Sequence, residues 1–172
     1  MTPVVNVIYC DDIREEVGGK SSLMGVYNSE FRSNNMPFVI PKLCMQIHIR
    51  VPVEMPPIDL KLDIVIGDTL LGQSFIGKSE VQQMLEEMAN GDMKFVVIGF
   101  IFTHFQLVIE NDTKIRVVAT LGEERYTGNG LKICKFAAPD TITSATSPRK
   151  PLPKPARTKS RPAVPKKAAS SQ

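Results

Sequence analysis

Tryptophan is absent from this sequence, and aromatic residues make up only 6 % of it. A carbohydrate-binding surface or a base-stacking platform needs exposed rings, and so few leave little for either. Cysteine is scarce too. Cys10, Cys44 and Cys134 stand far apart, form no Cys-x-x-Cys pair and are odd in number. That argues against a disulfide framework and for a reducing, cytoplasmic compartment. Long apolar runs are missing. The longest, Phe95 to Phe102 (FVVIGFIF), has 8 residues, whereas a membrane-spanning helix takes roughly 20. The opening MTPVVNVIYCDD has neither a basic segment nor a cleavable apolar stretch, so no signal peptide and no membrane association are expected. GDTLLGQ, from Gly67, lacks the Lys-Ser/Thr of a phosphate-binding loop. Ser22, Ser74 and Ser79 lie outside any Gly-x-Ser-x-Gly elbow. No nucleophile, base and orienting group stand out together, so neither a catalytic role nor a cofactor is expected, an enzyme being the least favoured alternative.

What is present divides by charge. Residues 1–136 carry 13 Lys/Arg against 17 Asp/Glu, and residues 137–172 carry 8 Lys/Arg against Asp140 alone. The second segment also holds 7 of the 13 prolines. Its only large apolar residues after Phe136 are Ile142, Leu152 and Val164. It cannot bury enough apolar surface to offset its ordering entropy, and a disordered, extended basic tail is expected.

The first segment reads as mainly β. In PKLCMQIHIRVP, residues 41–52, Leu43, Met45, Ile47, Ile49 and Val51 fall on one face and Cys44, Gln46, His48 and Arg50 on the other. Period two of this kind predicts a half-buried strand. IDLKLDIVIGD repeats it, with Ile58, Leu60, Leu62, Ile64 and Ile66 inward and Asp59, Lys61 and Asp63 outward. One helix is expected over 79–90, with Ser79 and Gln82 as a capping box, Val81, Met84, Leu85 and Met88 as its apolar stripe, and Asn90-Gly91 as its stop. Its other face, Glu80, Glu86 and Glu87, is acidic. MKFVVIGFIF is expected to be buried on both sides. THFQLVIEN, KIRVVATLG and LKICKF follow as further strands. About eight strands and one short helix predict an antiparallel β-sandwich.

CDDIREEVGGKSSLMGVY, from Cys10 to Tyr27, raises the question of a site. Val4–Arg14 and SSLMGVYN read as strands joined through Gly18-Gly19, a β-hairpin. A metal site on Asp11, Asp12 and Glu15 would need six or more converging oxygens. Adjacent strand residues point to opposite faces, and Arg14 and Lys20 compete for the same carboxylates. With a turn centred between Val17 and Gly18, Glu15 opposes Lys20 and Arg14 opposes Ser21, an ordinary charged hairpin. Cys44 and His48 share a strand face but lie roughly 13 Å apart, too far to share a zinc ion whose ligands sit within about 2.3 Å.

The matching residues Asp11, Asp12, Arg14, Gly18, Gly19, Lys20, Leu23, Gly25, Val26, Tyr27, Pro41, Lys42 and Leu43 give the chain a resemblance. Over residues 5–136 it resembles an uncharacterised family of small bacterial and phage-borne proteins, a domain of unknown function. The resemblance implies a compact β domain and carries no assigned activity. The helix at 79–90 and the basic tail depart from its pattern.

Two kinds of partner follow. Exposed strand edges or the hairpin would serve a protein partner or self-association. The tail offers Arg149, Lys150, Lys154, Arg157, Lys159, Arg161, Lys166 and Lys167 as candidate phosphate contacts for non-specific nucleic-acid binding. SPRK at 147–150 resembles chromatin-type tail units, and PAVPKK at 162–167 fits a polyproline ligand. A solubilising linker is the plainer reading, and a tail folded back on its own acidic domain is a further alternative.

Overall fold

The computed structural model describes residues 2–56, 58–88 and 93–136. In chain order the elements are β1 Val4–Cys10, β2 Asp12–Glu16, β3 Lys20–Met24, β4 Glu30–Ser33, β5 Phe38–Pro52, β6 Leu60–Ile66, β7 Thr69–Ile76, α1 Lys78–Met88, β8 Phe95–Ile109, β9 Thr113–Leu121, β10 Glu124–Thr127 and β11 Leu131–Lys135. The tail beyond residue 136, with its eight candidate phosphate contacts, and the Asn90-Gly91 stop lie outside the described residues.

Two sheets form the sandwich. One runs β1-β5-β8; the other runs β4-β11-β9-β6-β7, with β10 also paired to β9. The β2–β3 hairpin is a two-stranded sheet of its own. The expected antiparallel sandwich is present with one departure. β4 and β11 run parallel, from Glu30 beside Lys132 to Ser33 beside Lys135.

The alternating strands place their inward sets as their periodicity predicts. Leu43, Met45, Ile47, Ile49 and Val51 of β5 are each at most 1 % exposed. Across the interior they meet Leu60, Leu62 and Ile64 of β6 and Ile115, Val117, Ala119 and Leu121 of β9 in one core. Burying a side chain of this size contributes about 1.5–3 kcal/mol, so this double face is the main drive to fold.

Asn129 in the YTGNG loop ties the layers together. Its Oδ1 accepts the Val7 N–H at 2.8 Å and its Nδ2 donates to the Val7 carbonyl at 2.7 Å. The side-chain amide thus imitates one more ladder partner on the open edge of β1. The buried Tyr9 hydroxyl donates to the Asn129 carbonyl at 2.9 Å.

Two expectations are corrected here. MKFVVIGFIF is not buried on both sides. It joins THFQLVI in the single strand β8, whose burial alternates: Val96 and Ile98 are buried, while Val97 and Ile101 are 46 % and 49 % exposed. The reason is position. A sandwich has two layers, so each sheet is covered on one face only. Further along, the β5–β8 ladder passes from Lys42–Phe105 to Ile40–Leu107 without a Pro41–Gln106 pair. Pro41 has no N–H to offer, and Gln106 takes a positive φ of 53°.

The helix begins at Lys78, so Ser79 lies inside it and does not cap it. Glu80 Oε2 accepts the Gly77 N–H at 3.2 Å, and Asp59 Oδ1 accepts the Lys78 N–H at 2.8 Å. Carboxylates at this end also suit the helix dipole. Val81 and Leu85 join the core, with Met84 half-buried against it, whereas Met88 is exposed. Among the described residues no helix is long and apolar enough to cross a membrane.

Candidate functional site

The outer face of the three-stranded sheet carries both the charged hairpin and a bare apolar strand. Its rows follow from the register: Cys10–Cys44–Thr103, Ile8–Gln46–Ile101, Asn6–His48–Gly99 and Val4–Arg50–Val97. After Cys10 the chain bends at Asp11, whose N–H donates to the Met24 carbonyl at 2.9 Å. Contacts between β2 and β5 bring the hairpin over the β1–β5 half of this face.

The hairpin register differs by one residue from the expected one. Glu16 faces Lys20, Glu15 faces Ser21 and Arg14 faces Ser22. The turn is centred on Gly18, and both Gly18 and Gly19 take positive φ, at 83° and 70°. Glycine adopts this left-handed backbone without the Cβ penalty, which permits the three-residue connection. Ser22 Oγ donates to Glu16 Oε1 at 2.9 Å.

The two adjacent aspartates go separate ways. Asp11 accepts a hydrogen bond from the Tyr27 hydroxyl. Burial, and then the neighbouring Asp11 carboxylate, push the Tyr27 phenol well above its ordinary range. Asp12 pairs with Lys42 and with Arg14 Nε, the latter at 3.5 Å. The Lys42 hydrogen bond holds the Asp12 carboxyl below its usual range. Glu15 lies on the rim of a shallow hollow of about 400 Å³ floored by Gln46, His48, Gly99 and Ile101. Asp11 and Asp12 with Arg14 are therefore tied into pairs at the root and seam of the hairpin, whereas Glu15 and Lys20 only oppose Ser21 and Glu16 across it. Among the described residues no three His, Cys, Asp or Glu side chains are grouped to hold a metal ion.

Cys44 and His48 do share a face, yet Cys44 is buried, contrary to a partly exposed strand face. The hairpin closes over it: its thiol donates to the Asp11 carbonyl at 3.7 Å and lies 3.5 Å from the Thr103 hydroxyl. Cys10, directly opposite, is buried too, and burial with the nearby Cys44 pushes its thiol up to about 11. A thiol so raised is a poor nucleophile at neutral pH. Cys134 is elsewhere, donating to Glu30 Oε1 at 2.9 Å.

The hairpin leaves β8 uncovered. Val97, Ile101, Phe105 and Val108 stand exposed along it, Phe105 at 65 % and Val108 at 56 %. Lys42 Nζ lies 5.8 Å from the Phe105 ring centroid, near one end of this stripe. β8 is the last strand of its sheet, so its far backbone edge pairs with no other described strand. Its residues, FVVIGFIFTHFQLVI, include no Asp, Glu, Lys or Arg. Sequence reading missed this surface because an unbroken apolar run hides which half faces out. Gly99, a small residue in mid-strand, was the available sign of an uncovered face. Lys42 and Tyr27 were named only as residues that carry the resemblance, and their pairing with the two aspartates was missed. They lie 30 and 16 residues away from them, beyond any local pattern.

No curated protein and no solved structure matches the chain. A family model does, over residues 6–133, which take in the charged hairpin, the whole of β8 and all of both sheets but the outer ends of β1 and β11. The chain belongs to that family, the family of unknown function DUF6941.

Proposed function

We propose that this protein is a non-enzymatic interaction module that self-associates through β8. The observation that carries this reading is an edge strand of 15 residues with no charged side chain and an exposed apolar stripe. Edge strands of monomeric proteins are ordinarily blunted by charge, proline, bulges or shortness, because unpaired N–H and C=O groups recruit other strands. β8 is long and carries neither charge nor proline. A second copy is the occupant that fits. An uncharged strand opposes its own antiparallel copy without like-charge conflict, and a two-fold axis closes the contact. The paired sheets would join into one of six strands, and the Val97, Ile101, Phe105 and Val108 stripes would adjoin. Sedimentation of the full chain across a wide concentration range tests this. A concentration-dependent dimer that Ile101→Lys returns to monomer supports it. A monomer throughout, or a dimer indifferent to Ile101→Lys and Val97→Lys, overturns it.

The charge division of the sequence favours a second, compatible reading. The basic tail would hold phosphates of nucleic acid weakly and without sequence preference, while the sandwich supplies the assembly surface.

A further inference from the structure

On the outer face of the other sheet, β6, β7, β9 and β10 surround a concavity of about 380 Å³ whose charged lining is Lys61, Asp63, Asp68, Arg116 and Arg125. The register sets its rows: Lys61–Thr120–Arg125, then Asp63–Val118–Thr127, then Val65–Arg116. Three cations thus meet two carboxylates over a floor that includes the buried Val118.

The charges are not spent equally. Asp63 is matched from both sides. Lys61 Nζ lies 3.0 Å from its Oδ2, and Gln73 Nε2 donates to its Oδ1 at 2.7 Å. These partners, with Arg125 nearby, outweigh its burial and keep its carboxyl below the usual range. Arg116 gives one Nη2 hydrogen bond to the Gly67 carbonyl at 2.9 Å. Its Nε is buried and has no acceptor, the one buried side-chain nitrogen or oxygen in that condition among the described residues. Arg125 makes no side-chain hydrogen bond or ion pair among them either. A buried N–H of a cation without an acceptor is costly, and a turn of the guanidinium toward the concavity would let it reach one.

We propose that this concavity binds a compact oxyanion, a phosphate or carboxylate group, held by Arg116 and Arg125. Guanidinium groups suit such a ligand because their N–H forks match oxyanion geometry and stay charged at all relevant pH. Lys61 neutralises Asp63 and so lets an anion approach. The Thr127 hydroxyl adds a donor on the same side, and Val65, Val118 and Leu70 tolerate a small apolar body attached to the group. This site lies in the β6–β9 sheet and is independent of self-association through β8.

Titration of the full-length protein with inorganic phosphate and, separately, acetate tests the site, with the Arg116 Nε–H resonance as readout. A saturable shift with phosphate identifies a phosphate-type ligand, and one with acetate a carboxylate-type ligand. Either supports the proposal if Arg125→Gln, a change at an exposed rim position, weakens it about tenfold, as expected for losing one charge-assisted contact. No saturable shift with either anion overturns it. So does a shift that chloride at equal ionic strength reproduces, which would be screening alone.

Discussion

The Asp11 carboxylate sits in the space that a side chain on Gly25 would need. From there it accepts the Tyr27 hydroxyl, and Tyr27 N–H in turn donates to the Tyr9 carbonyl at 2.8 Å. Gly25 itself has a φ of 64°. Gly25→Ala meets both obstacles, a left-handed backbone with a Cβ and the displacement of Asp11. A loss of about 1–3 kcal/mol is expected, read as a lower urea midpoint at unchanged slope. An unchanged midpoint would mean that the hairpin root tolerates rearrangement.

Asn129→Ala removes both bonds to the Val7 backbone and leaves that peptide unpaired in a partly buried place. Destabilisation of about 1–3 kcal/mol is expected. Hydrogen exchange should quicken first at Val7, ahead of the central strand β5. Equal acceleration along β5 would show that Asn129 does not act through the β1 edge.

Glu30 predicts an acid-side pH dependence. Hydrogen bonds from the Cys134 thiol first, then from Arg32, hold its carboxyl down at about 2, against an ordinary value of 4.5. Its folded pKa is depressed, so its stabilising contribution is present above about 4.5 and is lost as pH falls toward about 2. In denaturant titrations across this window, Glu30→Gln should flatten the decline relative to the parent. Parallel curves would sink the assignment.

Self-association predicts an asymmetry between equivalent-looking substitutions. Ile101→Lys, on the outward face of β8, should abolish dimerisation and leave the monomer's circular dichroism unchanged. Val17→Lys at the exposed hairpin tip should leave both the dimer and the circular dichroism unchanged. Loss of dimer in both would point to the hairpin as the contact.

The tail predicts a salt signature. Binding of DNA and RNA by full-length protein should weaken by about 0.9 log units per phosphate contact for each log unit of salt on duplex DNA. A 1–138 truncation keeps every described element and should lose that binding. Binding that survives truncation would remove the tail from the account.

Much of the fold was legible because alternation is local. Leu43 to Val51 and Leu60 to Ile64 declare their inward face within a few residues, whatever surrounds them. The hairpin was legible from Gly18-Gly19 and its flanking strands. Its register was not, since one residue in the turn decides it and both alternatives use the same side chains.

Chain order therefore determined by itself that the protein is a β domain, which residues of β5 and β6 face inward, and where charge changes sign. Tertiary structure alone decided what covers each face. Cys44 and His48 lie on the same side of one strand, yet the hairpin buries Cys44. Val97 and Ile101 look like core, yet no described layer lies over them. Arg116 and Arg125 meet at one concavity only because β10 folds back along β9. A residue's periodicity is set by its nearest neighbours along the chain. Its burial is set by elements that arrive from far away, and no local pattern encodes their arrival.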